Sequence, residues 1–203
     1  MYDQTASIEG FLQAAGARQP TPGGGSVTAL AGALAASMGE MVVNYSIGKK
    51  GAEAHEEELK PALGEFARAR ALLLGLMVED QAAYEALTAA RKLAADTPQR
   101  VEALLDCIRV PQSVAAAGVS ILDVCDKLVE IVNPRLLSDL AVCAELAMAT
   151  TRCGIYNVRA NLASLPETAG LGQIESTNGQ LLSRGIMLIQ RVCPRIWQRA
   201  AQT

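Results

Sequence analysis

The residues with the clearest chemical potential form a glycine-rich segment, residues 20–26, which reads Pro-Thr-Pro-Gly-Gly-Gly-Ser and precedes a run of small apolar residues. The prolines favour an extended approach, and the run predicts a helix whose first N–H groups have no partner within the helix. Because those N–H groups lie at the positive end of the helix dipole, Gly23, Gly24, Gly25 and Ser26 are candidates to bind an anion or a carbonyl oxygen. A plain glycine-rich turn is the alternative. A nucleotide-binding P-loop is excluded, because no lysine directly follows the glycines and no strand precedes them.

Asp80 is a candidate for proton transfer because of its place on a predicted helix. One helical stripe is formed by residues spaced four, three, four and three apart, namely Leu73, Met77, Asp80, Tyr84 and Leu87. Partial burial on such a stripe changes the pKa of a carboxyl group and suits it to act as a general base or proton carrier. Membership of an ion pair at a helix interface is the alternative.

Two asparagines and a lysine provide further polar candidates. Asn157 and Asn161 are one turn apart and could together bind a planar heterocycle with donors and acceptors, or could form hydrogen bonds across a helix crossing. Lys49 follows Tyr45 by one turn near the end of the second predicted helix, where a lysine also favours the negative end of the dipole. Asp139 is placed to cap the fifth helix.

The elements that position these residues are predicted to be helices. Half of the 203 residues are apolar but only 3% are aromatic, and apolar residues recur at three- and four-residue spacing, which together predict one all-α domain. The six predicted helices cover about residues 5–17, 25–47, 54–93, 98–132, 138–163 and 171–200, with prolines 61, 111 and 194 as kinks or bends. Helices of about 30 residues are about 45 Å long, which exceeds one small bundle and predicts a helical homodimer.

The composition argues against several classes of partner and cofactor. A net charge of −3 disfavours nucleic acid and anionic membranes as partners. A single histidine and the absence of a Cys-x-x-Cys pair disfavour a metal site, a redox cofactor and a catalytic triad. An odd number of cysteines and no signal peptide predict a cytoplasmic protein with free thiols that act as small apolar residues, Cys107, Cys125, Cys143, Cys153 and Cys193.

Several motifs together resemble the formimidoyltetrahydrofolate cyclodeaminase and methenyltetrahydrofolate cyclohydrolase family. The N-terminal signature of that family resembles residues 20–26, the small-residue run 29–36, and residues 41–50, which include Met41, Val42, Asn44, Lys49 and Lys50. Further elements of the family resemble residues 80–84, 110–111, 133–139 and 157–161. The resemblance covers about residues 7–165.

The resemblance implies an all-helical homodimer that holds a folate in a cleft between helices, with a tetrahydrofolate derivative as substrate and no other cofactor. It implies proton transfer by Asp80, and folate contacts by Gly23–Ser26 and by the amides of Asn157 and Asn161. It also implies that Lys49 and Lys50 bind the glutamate tail. Substrate-binding roles are likewise implied for Asn44, Asn133 and Asp139.

Three functions are open at this point. The first is hydrolysis of 5,10-methenyltetrahydrofolate to 10-formyltetrahydrofolate, the second is cyclodeamination of formimidoyltetrahydrofolate with release of ammonia, and the third is folate binding or helical interaction without catalysis. The third is motivated by two departures from the family pattern. An aromatic residue is missing after the paired lysines, and the Leu-Pro-Lys element after the third helix is replaced by residues 91–95, Arg-Lys-Leu-Ala-Ala. Arg91, Lys92 and Arg100 are candidates for the missing positive charge.

Overall fold

The structure is a computed structural model that describes residues 2–3, 5, 7–49, 53–165 and 170–202. These residues form six α-helices and two short 3-10 turns, and no β-strand occurs among them. The α-helices are α1 (Ile8–Gly16), α2 (Gly24–Asn44), α3 (Glu56–Ala90), α4 (Pro98–Leu128), α5 (Leu137–Leu162) and α6 (Leu171–Ala200). The predicted all-α class with six helices is confirmed, while the homodimer stays a prediction.

Most differences from the predicted helices concern their ends. α2 ends at Asn44 rather than near residue 47, and the chain turns at Gly48, whose φ is 70°. A 3-10 turn, Pro134–Leu136, precedes α5, and the Asn133 side chain caps this turn by accepting a hydrogen bond of 3.1 Å from a backbone N–H. The prediction that Asp139 caps α5 is wrong, because the helix begins two residues earlier and Asp139 lies inside its first turn.

Four helices, α2 to α5, form a bundle in which sequential neighbours run antiparallel and α5 returns beside α2. The α2–α3 pair is antiparallel, because the start of α2 lies against Asp80 near the end of α3, and Gly39 near its end lies against Phe66. In the α4–α5 pair, the Sγ atoms of Cys125 and Cys143 are 3.5 Å apart, near the end of one helix and the start of the other. The starts of α2 and α4 therefore lie at the same end of the bundle as the ends of α3 and α5.

Small residues allow these helices to approach closely. A Cβ atom at Gly39 would lie 2.4 Å from the ring of the fully buried Phe66, and one at Gly154 would lie 2.8 Å from the carbonyl oxygen of Pro111. Close packing of this kind makes up for the small number of aromatic side chains in this chain. Three of the five free cysteines are buried in this core, whereas Cys193 is half-buried and Cys153 is exposed, contrary to prediction.

The last helix, α6, covers α4 and α5 and runs parallel to α4. Its arginines pair with acidic residues along α4: Arg184 with Asp123 at 2.5 Å, and Arg195 with Glu130 at 2.9 Å.

α3, α4 and α6 each continue through their internal proline. Pro61 therefore does not mark the start of α3.

Two of the helices, α2 and α4, are long and apolar enough to cross a membrane by length and composition alone. In the fold, 56% of the apolar window of α2 and 67% of that of α4 is buried. Core helices of soluble proteins can be equally long and apolar, because they are buried against other helices.

Candidate active site

The carboxylate of Asp80 lies against the first turn of α2. The Ser26 hydroxyl donates a hydrogen bond of 2.8 Å to Asp80 Oδ2, and the Ser26 backbone N–H donates a second bond to the same carboxylate. A Cβ atom at Gly25 would lie 1.9 Å from Asp80 Oδ1. Only glycine at position 25 leaves room for this carboxylate.

The Asp80 carboxylate is itself the anion at the start of α2, where the sequence predicts an anion or a carbonyl oxygen. The N-cap residue of α2, Gly23, has no side chain with which to cap the helix. Asp80 supplies a cap from α3 instead, with its negative charge at the positive end of the helix dipole. The N–H groups of Gly24 and Gly25 have no intrahelical partner at their positions.

Burial sets the protonation behaviour of Asp80. Loss of solvent around the carboxylate raises its pKa above the ordinary value, and the two hydrogen bonds from Ser26 only partly oppose that rise. No lysine or arginine forms an ion pair with Asp80 in the part of the chain that the structure describes. Asp80 is thus not the interface ion-pair member of the alternative interpretation. A carboxyl group with a raised pKa is suited to general acid–base chemistry.

A cavity of about 290 Å³ opens in front of Asp80. It lies at the end of the bundle where α2 and α4 begin and α3 and α5 end. Its walls contain the glycine-rich turn, Asp80 and the two asparagines of α5, together with other residues of α3 to α5; the full set is Pro20, Thr21, Gly23, Gly24, Gly25, Asp80, Tyr84, Cys107, Pro111, Asn157, Ala160 and Asn161. The structure therefore brings seven of the predicted site residues together, because Ser26, although not in the wall, holds Asp80.

The two asparagines form hydrogen bonds across helix crossings, and both also line the cavity, while their predicted contact with a heterocycle stays a prediction. Asn161 Nδ2 donates to the carbonyl oxygens of Cys107 and Asn157, each at 3.1 Å, and so joins α4 to α5. Asn157 Nδ2 reaches Thr28 Oγ1 at 3.4 Å, and its Oδ1 lies against Gly24. Both side chains line the cavity while they bridge helices, which fixes their orientation toward any occupant.

Cys107 is the one thiol in the cavity wall, and it is a poor nucleophile. Burial, followed by the negative charges of Asp80 and Asp106, raises the pKa of Cys107 to about 11. The thiol is therefore protonated at neutral pH, and the thiolate is the reactive form. The wall thus offers the carboxylate of Asp80 for proton transfer, and no activated nucleophilic cysteine.

Four other predicted site residues lie at the opposite end of the bundle. Asn44 and Lys49 are exposed beyond the end of α2, which spans about 30 Å by helical rise from its start at Gly24. Asn133 and Asp139 flank the start of α5 at the same end. Within one chain these residues do not reach the cavity, and Lys50 lies outside the described residues. Their substrate-binding roles stay predictions.

Two larger hollows lie between α3 and α4, about 340 and 520 Å³. The first is lined mainly by apolar side chains such as Phe66 and Leu72. The second has exposed glutamates and Lys127 on its rim. Neither combines a carboxylate with the asparagine amides and the glycine-rich helix start that line the smaller cavity, so the cavity at Asp80 is the better candidate for chemistry.

Sequence reasoning missed several cavity residues. Tyr84 was visible as a member of the Asp80 stripe, one turn further along α3, and this spacing is a signal for a shared cavity. Cys107 and Pro111 are also one turn apart, but their spacing is that of any core helix, so only the packing of α4 against α3 reveals them. Thr21 lies in the glycine-rich segment but is not among the predicted site residues, and Ala160 carries no chemical signal in the sequence.

Comparison with known proteins places this arrangement in a family. Residues 7–178 match the family model described as formiminotransferase-cyclodeaminase. The chain belongs to the formiminotransferase-cyclodeaminase family. Within that family it is similar to a methenyltetrahydrofolate cyclohydrolase from Methylorubrum extorquens, with 31% identity over 80% of this chain and 82% of the relative. The solved structure of a formiminotetrahydrofolate cyclodeaminase from Thermotoga maritima matches with a TM-score of 0.91 at 28% identity, covering 95% of this chain and 96% of that one.

Animal members of the formiminotransferase-cyclodeaminase family are longer. The rat formimidoyltransferase-cyclodeaminase is 31% identical over 80% of this chain, but the aligned part spans only 31% of the rat protein. The similarity to this relative therefore concerns one part of a larger protein.

Proposed function

We propose that the protein is a folate one-carbon enzyme that hydrolyses 5,10-methenyltetrahydrofolate to 10-formyltetrahydrofolate. The observation that carries this proposal is the partly buried Asp80 carboxylate, with its raised pKa, facing a polar cavity. The similarity to a methenyltetrahydrofolate cyclohydrolase over most of both chains supports the same reaction.

The chemistry requires one proton-transfer group. The carbon that bridges N5 and N10 of the substrate is part of an amidinium-like cation, so water can add to it when a base removes a proton. Asp80 accepts that proton. The C–N5 bond of the adduct then breaks, the hydroxyl proton of the adduct is lost as N5 gains one, and the formyl group stays on N10. One proton is released overall, and it leaves from Asp80.

The neighbours of Asp80 position this step. The hydroxyl of Ser26 holds Oδ2, while Gly25 gives Oδ1 its place beside the backbone. We assign contacts with the pterin to Asn157, Asn161 and the backbone of Gly23 and Gly24, because amide donors and acceptors match a heterocycle that carries both.

The proposal is tested with the purified protein and 5,10-methenyltetrahydrofolate, by following the loss of near-ultraviolet absorbance. We expect Asp80→Asn to lower kcat by about 10²–10⁴-fold while folate binding is retained, because only the proton acceptor is removed. Glu79→Gln is the matched control, since Glu79 is the adjacent carboxylate on α3 and is exposed. A wild-type rate no faster than buffer, or full activity of Asp80→Asn, would reject the proposal.

Cyclodeamination is the second candidate, favoured by the similarity to a formiminotetrahydrofolate cyclodeaminase over nearly the whole chain. In that reaction N10 attacks the formimino carbon, and ammonia leaves after it is protonated. Asp80 can carry this proton too, because its pKa is raised. Ammonia release from 5-formiminotetrahydrofolate, measured with a coupled assay, distinguishes the two reactions. Tight folate binding without turnover of either substrate would indicate a non-catalytic folate-binding protein.

We infer that the protein is a homodimer and that its α2 helices meet. Seen along the helix, the side of α2 opposite its contacts with α3 is apolar and partly exposed, and comprises Val27, Leu30, Ala31, Leu34, Met38, Met41 and Tyr45. The nearest charge on this described helix, Glu40, lies off that side and pairs with Arg70. A second copy can therefore cover the face without burying an unpaired charge.

Sedimentation measurements test this assembly with two matched variants. Leu34 on α2 and Leu72 on α3 are each 52% exposed, so Leu34→Glu and Leu72→Glu place the same charge at equal exposure on different faces. We expect only Leu34→Glu to give a monomer. Dissociation by Leu72→Glu alone would place the interface elsewhere.

A cytoplasmic location is also part of the proposal and is supported by the five free cysteines, which persist in a reducing compartment.

A further inference from the structure

The cavity at Asp80 does not supply the charge that a folate requires. A folate carries carboxylates on its glutamate, which the p-aminobenzoyl ring separates from the reacting carbon. Among the described residues that line the cavity, none is a lysine or an arginine, and Asp80 itself is an acid. The cavity volume of about 290 Å³ is also at the lower limit for ligand pockets, about 300–1,000 Å³. The glutamate must therefore lie outside the cavity, near a cation at its mouth.

Arg91 is a cation that lies beside the cavity wall. It follows Asp80 by eleven residues and Tyr84 by seven. Arg91 is the C-cap of α3 and keeps a helical conformation, so the three residues lie on one side of the helix, with about 16 Å of helical rise between Asp80 and Arg91. The guanidinium carbon of Arg91 is 5.9 Å from the centre of the Tyr84 ring, which lines the cavity. The charge of Arg91 also acts on Cys107 in the opposite wall and lowers its pKa, against the larger effect of burial.

The guanidinium is available for a ligand. Arg91 is exposed, and no carboxylate forms an ion pair with it in the described ranges of the chain. Its contact with Tyr84 is a cation–π interaction, which orients the side chain and leaves its N–H groups available. A planar guanidinium suits a carboxylate because it donates two parallel hydrogen bonds.

Three other cations put forward by the sequence, Lys92, Arg100 and Lys49, are less suitable. Lys92 is exposed in the turn beyond the end of α3, and no ring contact joins it to the cavity wall among the described residues. Arg100 donates a hydrogen bond of 2.9 Å to the carbonyl oxygen of Leu93 and so holds the loop between α3 and α4. Lys49 lies at the opposite end of α2 and could act here only from a second copy.

We propose that Arg91, held beside the cavity by Tyr84, binds a carboxylate of the folate's glutamate. This inference rests on the proposed folate substrate. It places the reacting carbon at Asp80, the p-aminobenzoyl ring alongside Tyr84 and the glutamate at Arg91. Asp80, Tyr84 and Arg91 then follow one another in the same order as the reacting carbon, the p-aminobenzoyl ring and the glutamate of the substrate.

The test compares two substrates that differ only in the glutamate, 5,10-methenyltetrahydrofolate and 5,10-methenyltetrahydropteroate. Arg91→Gln should raise KM for the first by about tenfold with kcat unchanged, because an exposed charge-assisted contact contributes to binding and not to the chemical step. It should leave both constants for the pteroate unchanged. Arg91→Lys should recover part of the loss, since a lysine keeps the charge but not the two parallel bonds.

Lys92→Gln is the control, because it removes one positive charge from the residue next to Arg91, and Lys49→Gln tests the competing assignment of the glutamate to Lys49 that the resemblance implies. The proposal is overturned if Arg91→Gln leaves KM for the folate unchanged, if it affects both substrates equally, or if the glutamate-dependent loss appears in Lys92→Gln or Lys49→Gln instead. These results leave the folate function intact, because the wild-type rate measures that function separately. If the wild type binds the folate without turnover, the same comparison is made with Kd from equilibrium dialysis. If it binds no folate, the proposed function fails and this inference fails with it.

Discussion

Replacement of Gly25 by alanine tests the contact on which the candidate site depends. Gly25 lies in the first turn of α2, and its φ is not in the left-handed region, so alanine strains no backbone angle there. The new methyl group would instead meet the carboxylate of Asp80, at 1.9 Å from Oδ1 and 2.5 Å from Cγ. The substitution therefore acts on the position of one side chain.

The size of the effect follows from these distances. Ordinary van der Waals contact begins at about 3.4 Å, so Oδ1 has to retreat by about 1.5 Å from its place 1.9 Å from the new Cβ. Such a shift also disrupts the 2.8 Å bond between the Ser26 hydroxyl and Oδ2. A displacement of about 1 Å at a reacting group costs about 10²-fold in rate, or about 2.7 kcal/mol of transition-state stabilisation. We expect kcat/KM to fall by at least this factor.

The assay is the loss of 5,10-methenyltetrahydrofolate absorbance, measured beside thermal unfolding. Gly75→Ala is the matched control, because Gly75 lies on α3 five residues before Asp80 and an added Cβ meets no atom within 4 Å. The control should keep its activity and gain about 0.5–1 kcal/mol of stability from the better helix former. The stability of Gly25→Ala should change by no more than about 1 kcal/mol, because Asp80 can rotate away.

Full activity of a folded Gly25→Ala protein would refute the reasoning. It would mean that the active carboxylate does not lie against the glycine turn. Equal loss of activity in Gly75→Ala would also refute it, because the effect would then come from the helix backbone and not from the displaced carboxylate.

Two further predictions concern the pKa of Asp80 and the packing of the core. Ser26→Ala removes a hydrogen bond that stabilises the ionised carboxylate, so the pKa of Asp80 rises further. Because hydrolysis needs the ionised form, the acid limb of the kcat/KM profile should move to higher pH. Ser37→Ala, which removes a hydroxyl bonded only to its own helix at the Ala33 carbonyl, should leave the limb in place, and an unmoved limb in Ser26→Ala contradicts the assignment. Gly39→Ala would put a Cβ 2.4 Å from the buried Phe66 ring and should lower the free energy of unfolding by about 1–3 kcal/mol in urea titrations; an unchanged midpoint would show that α2 and α3 can separate without cost.

Helical spacing predicted which residues share a face of a helix. It did not predict at which end of the bundle each of these residues lies. Asp80 could be chosen from the sequence because its neighbours at four and three residues are apolar, and the structure places it on the α3 side that meets α2. Asn44 and Lys49 belong to the same sequence signature as the glycines, yet a helix of 21 residues separates them from the cavity. Periodicity alone does not show this separation, because it follows only if α2 is one continuous helix.

The partner of the helix start also could not be predicted from the sequence. The glycine-rich segment indicates a place for an anion. That anion can be a bound ligand or a carboxylate of the protein itself, and the pattern does not distinguish the two. The choice of Asp80 depends on the antiparallel packing of α2 on α3, which a single sequence does not reveal. Similarly, Asn161 was predicted to bind a ligand or to bridge helices, and the carbonyl of Cys107 that it bridges to lies 54 residues away.

The environment of Asp80 also explains how a single carboxyl group can favour both substrate binding and product release under the proposed hydrolysis. Before the reaction, the cationic bridging carbon beside Asp80 lowers the pKa of the carboxyl group, against the effect of burial, so substrate binding favours the ionised base. After water has added, Asp80 holds the proton and the formyl product carries no cation at that carbon. The attraction between the two is then lost, and burial favours the protonated acid until its proton passes to water. A cation fixed next to Asp80 would remove this difference, because it would keep the carboxylate ionised with or without substrate. The positive charge at the mouth, about 16 Å of helical rise along α3, avoids that conflict.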